Sequence, residues 1–448
     1  MKKITLLALV LLSLNAYSQE HFSGITTSKR VGILNGHVNP SEFANLSSTY
    51  EIQLFALSVN VSNNKVGYKD LVKGEDIESL LFDGKENVNF DMNAAIFGPA
   101  FGMRYKKWGF GISSKAFIKA SIIDLDSDLG NALINDNLNS VSAITNILSD
   151  ENQRVNATTW GEVGISAARN VFETESHRIN AGVTLKFLFP GSYANIGLNK
   201  FNGDIRQDSN GLSLTNAAST LNIAYSGNFG ASFSETSDYF KSIFGGLNGF
   251  ATDLGVDYQW LKEDKTYRLK AGAAFRNIGS MTFSGSDNVS ERYALNIPNG
   301  DPGLNLNEFE NAEGLEGVKD VFNNHPEYFS STSSKDKFKV KLPAVFNLYA
   351  DYQIVERLSV TAFWQQKMGD EKADNQVSTQ NMFTVTPRVT FGVFEAFLPI
   401  GNNEISGGTV GFGFRVGGFF LGSNSILSAV TSDSKQADAY LGFRYGFK

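Results

Sequence analysis

Arg178-Ile179-Asn180-Ala181-Gly182-Val183-Thr184-Leu185-Lys186-Phe187-Leu188-Phe189 is the stretch whose reading decides the fold. Its odd positions are apolar throughout, while the even ones carry Arg178, Asn180, Gly182, Thr184 and Lys186. Successive side chains of a strand point to opposite faces, so this segment is a strand with one greasy and one charged face. The pattern returns at Phe250, Leu254, Val256, Tyr258 and Trp260 against Asp253, Gly255, Asp257 and Gln259. It returns again at Tyr267, Leu269, Ala271, Ala273 and Phe275 against Arg268, Lys270, Gly272 and Arg276. Further copies lie at 51–61, 108–120, 358–366, 384–393, 410–416 and 437–447. Strands of about ten residues that alternate in this way are the signature of a transmembrane β-barrel. A soluble β-sandwich uses shorter strands, about five or six residues. The chain is therefore expected to be all-β, an antiparallel transmembrane barrel.

Features of the whole chain point the same way. Among 448 residues, 39 Lys and Arg face 46 Asp and Glu, a net charge of −7 that argues against nucleic-acid binding. There is no Cys, which excludes a disulfide framework, a thiolate metal site and cysteine catalysis. Four scattered histidines, His21, His37, His177 and His325, supply neither a zinc cluster nor a Ser-His-Asp set. No enzyme and no cofactor is expected. Lys2 and Lys3, the apolar run Ile4 to Leu14 and the small-x-small site Ala16-Tyr17-Ser18 form a signal peptide over 1–18. Residues 19–48 are then a periplasmic segment or a lumen plug, and 49–448 the barrel, placed in the outer membrane of a Gram-negative cell. Outer-membrane lipid and the barrel-assembly machinery are its expected partners.

Connection lengths give a topology, because such barrels pair short periplasmic turns with longer extracellular loops. Short links fall at 106–107, 170–177, 262–265 and 354–356, and long ones at 62–87, 122–156, 227–248, 287–336 and 367–380. Strands are expected near 50, 88, 108, 157, 178, 193, 211, 249, 266, 337, 357, 381, 405 and 436, fourteen in all. Pairing is open over 190–226, and 395–423 holds one strand or two, so twelve or sixteen remain alternatives. An even count puts both termini on the periplasmic side. The loops are acidic: 122–156 sums to −5 and 287–336 to −7. Helical spacing at Leu129, Leu133, Leu138, Val141, Ile144 and Ile147, and at Phe309, Leu315, Val318 and Phe322, predicts short amphipathic helices over the mouth.

The chemistry-bearing constellation is the inward face. Lys115, Lys119, Arg178, Lys186, Arg268, Lys270, Arg276, Arg415 and Arg444 share the polar face of their strands with Asp253, Asp257 and Glu162. These groups either neutralise one another across the lumen or receive an anionic or amphipathic ligand, guanidinium against carboxylate or phosphate. Asp124, Asp126 and Asp128 precede Gly130 with calcium-loop alternation, but Leu129 and Asn135 stand where a calcium loop needs Gly and Glu. Capping of the following helix by Asp126 or Asp128 is the expected role. The glycine run Gly411 to Gly418 is no phosphate loop, since no helix follows it.

Several stretches resemble an outer-membrane barrel family of the Bacteroidota, mostly of unknown function and similar to FadL-like and PorV-like barrels. They are Val38-Asn39-Pro40-Ser41, Ile96-Phe97-Gly98-Pro99-Ala100-Phe101, Asn277-Ile278-Gly279-Ser280-Met281-Thr282, Leu342-Pro343-Ala344-Val345-Phe346-Asn347-Leu348, the run Gly411 to Gly422 and the final Gly442-Phe443-Arg444-Tyr445-Gly446-Phe447. The FadL-like resemblance implies fourteen strands, an N-terminal plug and passage of hydrophobic molecules. The PorV-like one implies a partner of secretion proteins. Two functions follow: passage or binding of small hydrophobic or amphipathic molecules, or a scaffold for secretion, motility or surface-protein assembly that docks its partner on the acidic loops.

Overall fold

The computed structural model describes residues 21–447, leaving out 31, 135–143, 209–210, 228–243, 310–311, 313 and 371–372. The predicted signal peptide lies outside the described residues. Fourteen strands close a ring among them. In chain order they are β1 (Tyr50–Asn63), β2 (Val88–Tyr105), β3 (Trp108–Leu125), β4 (Asn152–Glu173), β5 (His177–Asp208), β6 (Gly249–Leu261) and β7 (Tyr267–Ser284). The ring continues with β8 (Val345–Val355), β9 (Leu358–Lys367), β10 (Met382–Phe391), β11 (Phe394–Phe397 and Ile400–Asn403), β12 (Gly407–Val410 and Phe412–Val416), β13 (Phe419–Ser423) and β14 (Gln436–Phe447). Each pairs antiparallel with the next, and β1 closes on β14 from Tyr50↔Phe447 to Ser62↔Gln436. Closure leaves the ring without an edge, which a backbone in hydrocarbon requires.

The outer wall is apolar where a soluble protein would be polar. Phe250 is 63% exposed and Leu54 53%, and Leu57, Val59, Ile96, Ile112, Ile165, Leu185, Val256 and Leu348 stand exposed beside them. The same strands bury Asn60, Asn93, Lys115, Glu162, Lys186, Asp253 and Asn347 on the inside. This inversion is what a bilayer as solvent selects. No helix among the described residues is long and apolar enough to cross a membrane. At the end with short turns the outer rim carries rings under cations: Lys106 lies over Tyr105, Arg169 over Trp108, Arg357 over Phe391. Aromatic and cationic side chains at a rim are the interfacial belt of a membrane protein.

The strand count matches the expectation while three of its members differ. The strands expected at 178 and 193 are one 32-residue strand, β5, with Pro190 at a register shift against Trp160. Proline has no N–H to give a ladder, so it sits where pairing breaks. Gly211–Tyr225 is outside the ring: it pairs with the far half of β5 and with Val289–Ile297, building a sheet that rises above the barrel. The region 395–423 holds three ring strands rather than one or two. Two strands lost and two gained leave fourteen.

The region 287–336 is likewise more than a loop. Val289–Ile297 pairs with Phe329–Lys335, and the helix Gly314–Asn324 lays Phe322, Leu315 and Val318 on Leu221, Ile223, Tyr293 and Leu295. In 122–156, Asp126 Oδ1 accepts from the backbone N–H of Asp128 and Leu129 and so caps the helix Ser127–Ile134. Ile144 and Ile147, expected on a helix, lie on the strand Ile144–Leu148 instead, while Leu138 and Val141 lie outside the described residues. β-Branched residues paired along the extended edge of β5 gain a ladder that an isolated turn of helix would not offer.

Candidate functional site

The lumen is filled from its turn end by the residues that precede β1. A short helix Ile33–Gly36 and a 3-10 helix Pro40–Asn45 fold inside the ring, with Phe22, Ile25, Leu34, Phe43 and Leu46 buried. Left-handed backbone at Gly24 and Gly32, φ 82° and 57°, makes the reversals that place them there. Wall glycines give the 3-10 helix its space. A Cβ on Gly182 would stand 2.5 Å from the Pro40 carbonyl carbon, and one on Gly109 2.0 Å from the Phe43 carbonyl oxygen.

Polar contacts pin this segment around its circumference. Glu42 pairs with Lys270 at 2.7 Å and accepts from the Tyr349 hydroxyl. Asn39 Nδ2 donates to the Val256 carbonyl at 2.9 Å, and Asn45 Nδ2 to Asp257 at 3.1 Å. Ser28 donates to Glu395 at 2.9 Å, and Arg388 Nη2 to the Gly24 carbonyl at 2.6 Å. The backbone N–H of Ile33 reaches Glu51 at 3.2 Å, and Glu51 also meets Arg444 at 3.3 Å. The glycines of the last strands, Gly413, Gly422 and Gly442, leave room for the inward rings of Phe397, Tyr440 and Phe420, and Phe22 packs among these last two and Phe97.

From the other end, residues 373–380 descend into the mouth. Asp374 meets Arg292 at 2.7 Å, the Ala373 carbonyl accepts from Arg154 at 2.8 Å, and Ser378 accepts from Lys119 through its carbonyl at 3.0 Å. Val377 is buried among Trp160, Tyr193, Phe283, Phe338 and Leu342. Read from sequence, 367–380 is only a loop; Val377, its one branched aliphatic residue, set amid Asn, Gln, Ser and Thr, is the signal that it turns inward. Between the N-terminal segment and the barrel wall a cavity of about 60 Å³ remains, lined by Phe22, His37, Phe97, Phe117, Arg276 and Gln365 among others.

The inward cations predicted from alternation divide four ways. Lys115 pairs with Glu162 at 2.8 Å and lies 5.0 Å over the Phe97 ring; Lys186 pairs with Asp253 at 2.7 Å and reaches Glu162 at 3.8 Å. With Lys270 on Glu42, Arg415 on Glu395 at 4.0 Å, Arg178 on Glu173 at 2.8 Å at the rim and Arg444 on Glu51, these charges neutralise one another. Lys119 is held by the descending loop. Arg268 is a correction: it points outward, 5.7 Å over Trp260 and 6.0 Å from the Tyr352 ring. A bulge between Trp260 and Leu261 adds one residue to β7, so Tyr267 turns inward to Asp351 at 2.8 Å in its place.

Arg276 stands apart from the paired set. It lines the cavity, makes no ion pair among the described residues, and its Nε is buried without a hydrogen-bond partner. His37 Nε2, on the same cavity, is buried and unpartnered too. Two nitrogens aimed at one aromatic-lined space can hold a group that accepts hydrogen bonds. Alternation found Arg276; nothing periodic marks His37 or Phe22, which lie on irregular backbone. Of the three carboxylates weighed for a metal, Asp126 caps its helix and Asp124 bonds Asn89 at 3.2 Å; the described residues contain no cluster of three metal-ligating side chains.

No curated protein matches this sequence. Among solved structures the chain is similar to the P. putida toluene transporter TodX, at 10% identity and TM-score 0.43 over 91% of this chain and 92% of that one. It is similar to the Ralstonia pickettii toluene transporter TbuX, at 12% identity and TM-score 0.40 over 92% and 93%. A TodX deltaS2S3 mutant, a monoaromatic hydrocarbon channel, gives 10% identity and TM-score 0.46 over 92% and 94%. Likenesses at this level do not bear on what the chain carries. The sequence match is more direct: residues 43–424, nearly the whole barrel, fit one family, and the chain belongs to that family, a family of unknown function (DUF5723).

Proposed function

We propose that this barrel resides in the outer membrane, with its turn end and both termini in the periplasm, and binds or passes small hydrophobic or amphipathic molecules. The observation that carries the reading is the cavity between the N-terminal segment and the barrel wall. Phe22, Phe97 and Phe117 give it apolar walls, and Arg276 Nε and His37 Nε2 give it two buried donor-capable nitrogens without partners. An amphipathic molecule presents both complements, a hydrocarbon body and an accepting head. At about 60 Å³ the space admits a head group or a small ring, and passage of anything larger requires the N-terminal segment to shift. That segment is held by separate polar contacts and by three small apolar clusters rather than by one continuous core, which supports its release as a step.

The test is to purify the full chain from its native membrane and extract what accompanies it. A lipid-like compound retained by the wild type and by Arg268→Ala, whose side chain lies on the outer wall, and lost from Arg276→Ala is the expected result. An empty lumen together with a stoichiometric protein partner would overturn it. That outcome would favour the scaffold reading, including the PorV-like one, which draws support from the separately cored sheet and helix of 289–335 standing beside the mouth.

A further inference from the structure

At the loop end one stretch of outer wall changes character. Phe329–Lys335 and Lys337–Lys341 run on into β8 and bring Lys335, Lys337, Lys339 and Lys341 to exposed positions, while Phe338 and Val340 between them are buried. Lys337, Lys339 and Lys341 therefore share the face opposite the lumen. Lys341 pairs with Ser280 and Lys337 with Ser284 on β7. One step below Ser280 on that face Ile278 is 46% exposed, with Phe250 and Leu348 exposed on the neighbouring strands. The wall passes from hydrocarbon-facing to cationic within a rung or two, the height at which a bilayer's apolar core yields to head groups.

No ion pair ties any of these four lysines to a carboxylate among the described residues. Lys335, Lys337, Lys339 and Arg292 line a cleft of about 520 Å³ whose wall also carries the amides of Asn222 and Asn375. Arg292 on its wall pairs with Asp374 and stays 54% exposed, while Asp336 lies between Lys335 and Lys337 without an ion pair to either. In a chain of net charge −7 this is a local reversal of field. The geometry points to a binding site for the phosphate-bearing head group of a lipid in the leaflet at the loop end. Ammonium groups meet the phosphate as mobile point charges, and the acyl chains lie on Ile278, Phe250 and Leu348 below. The apolar surface continuous with the cleft is what favours a lipid over a soluble anion. The site lies apart from the cavity at Phe22 and Arg276 and stands whether or not the barrel transports anything.

The full chain in non-ionic detergent is titrated with a diglucosamine lipid carrying two phosphates, with its dephosphorylated counterpart, and with inorganic phosphate as competitor, binding being read by native mass spectrometry. The variant Lys335→Gln/Lys337→Gln/Lys339→Gln changes only exposed side chains, and Lys106→Gln at the turn end is its control; retention of a heat-modifiable band checks the fold of both. Binding of the phosphorylated lipid weakens by roughly ten- to a hundredfold in the triple variant and is unchanged in the control, as removal of three interfacial cations requires. Undiminished binding by the triple variant, or equal binding of the dephosphorylated lipid, overturns the site. Displacement of the lipid by inorganic phosphate at equal concentration overturns the lipid assignment in favour of a soluble anion.

Discussion

Glu162 sits between Lys115 and Lys186 with all three side chains under 5% exposed, and its loss leaves Lys115 without its carboxylate. An uncompensated buried charge costs about 3–5 kcal/mol, so Glu162→Gln is expected to lower the urea midpoint of the folded barrel by a corresponding amount. A midpoint within error of the wild type would mean that the lumen is wet enough to solvate Lys115. Gly182 tests the plug instead of the wall. A side chain there meets the backbone of Pro40 and Ser41, which cannot swing aside, and overpacking of this kind costs about 1–3 kcal/mol. Gly182→Val should leave a heat-modifiable barrel whose residues 21–48 are cut by protease in minutes where the wild type resists; equal protection would refute the close approach. How much of this was legible in the sequence differs residue by residue. Alternation places Lys115, Lys119, Lys186, Lys270, Arg276 and Arg415 inward because a strand's period is fixed. It fails at Arg268, where a one-residue bulge turns the face over and nothing in Thr266-Tyr267-Arg268-Leu269 announces it. The pairing of each cation depends on register between strands far apart in sequence, which alternation alone does not contain.

Elements follow the same division. The hairpins with short turns were readable because loop length and strand period agree there, as at Lys106-Lys107. Pro190 makes the long strand β5 read as two, although the structure places this breaker at a register shift within one strand, and the period of Gly211–Tyr225 suits a ring strand although it pairs above the ring. Closure rests on β14, which gives β1 an unbroken partner except for one bulge at Gln53/Phe55. Deleting 436–448 should abolish the heat-modifiable form; a compact truncated species would contradict the pairing. The cap at 289–335 holds a pH-sensitive contact. His325 Nε2 meets Glu308 at 2.9 Å and Nδ1 meets Glu327 at 3.0 Å, and the bond to Glu308 is the main cause that raises the imidazole's pKa above its usual value, against partial desolvation. A raised pKa means stability that is full below the unfolded value near 6.5 and lost as pH climbs through the folded one. Protection factors across 306–328, which correct amide exchange for its base-catalysed intrinsic rate, should be larger at pH 5.5 than at pH 8.5, with the difference absent in His325→Gln. Because the pair is largely exposed, the effect is expected below about 1 kcal/mol. Protection factors larger at the higher pH would reverse the assigned sign.

At the scale of the whole molecule, a ring of fourteen strands with an apolar exterior brings the start of β1 and the end of β14 to the turn end, so sidedness is a single question. A tag at Gly314, on the helix beside the mouth, should be labelled on intact cells, and one at Glu263, in the turn between β6 and β7, should not; labelling of Glu263 alone would invert the proposed orientation. The fold class and the number of strands could be read from period and loop length. The state of the lumen could not, since whether 19–48 hangs free or folds inward depends on fits such as Gly182 against Pro40 that exist only once the ring is closed. The central claim is that this ring is shut by its own chain from both ends. Ion conductance across a planar bilayer tests it most directly: the full chain should give no stable steps, and a variant lacking 21–48, with 373–380 replaced by a short Gly-Ser link, should give steps of one size. Steps of that same size from the intact chain would contradict the account.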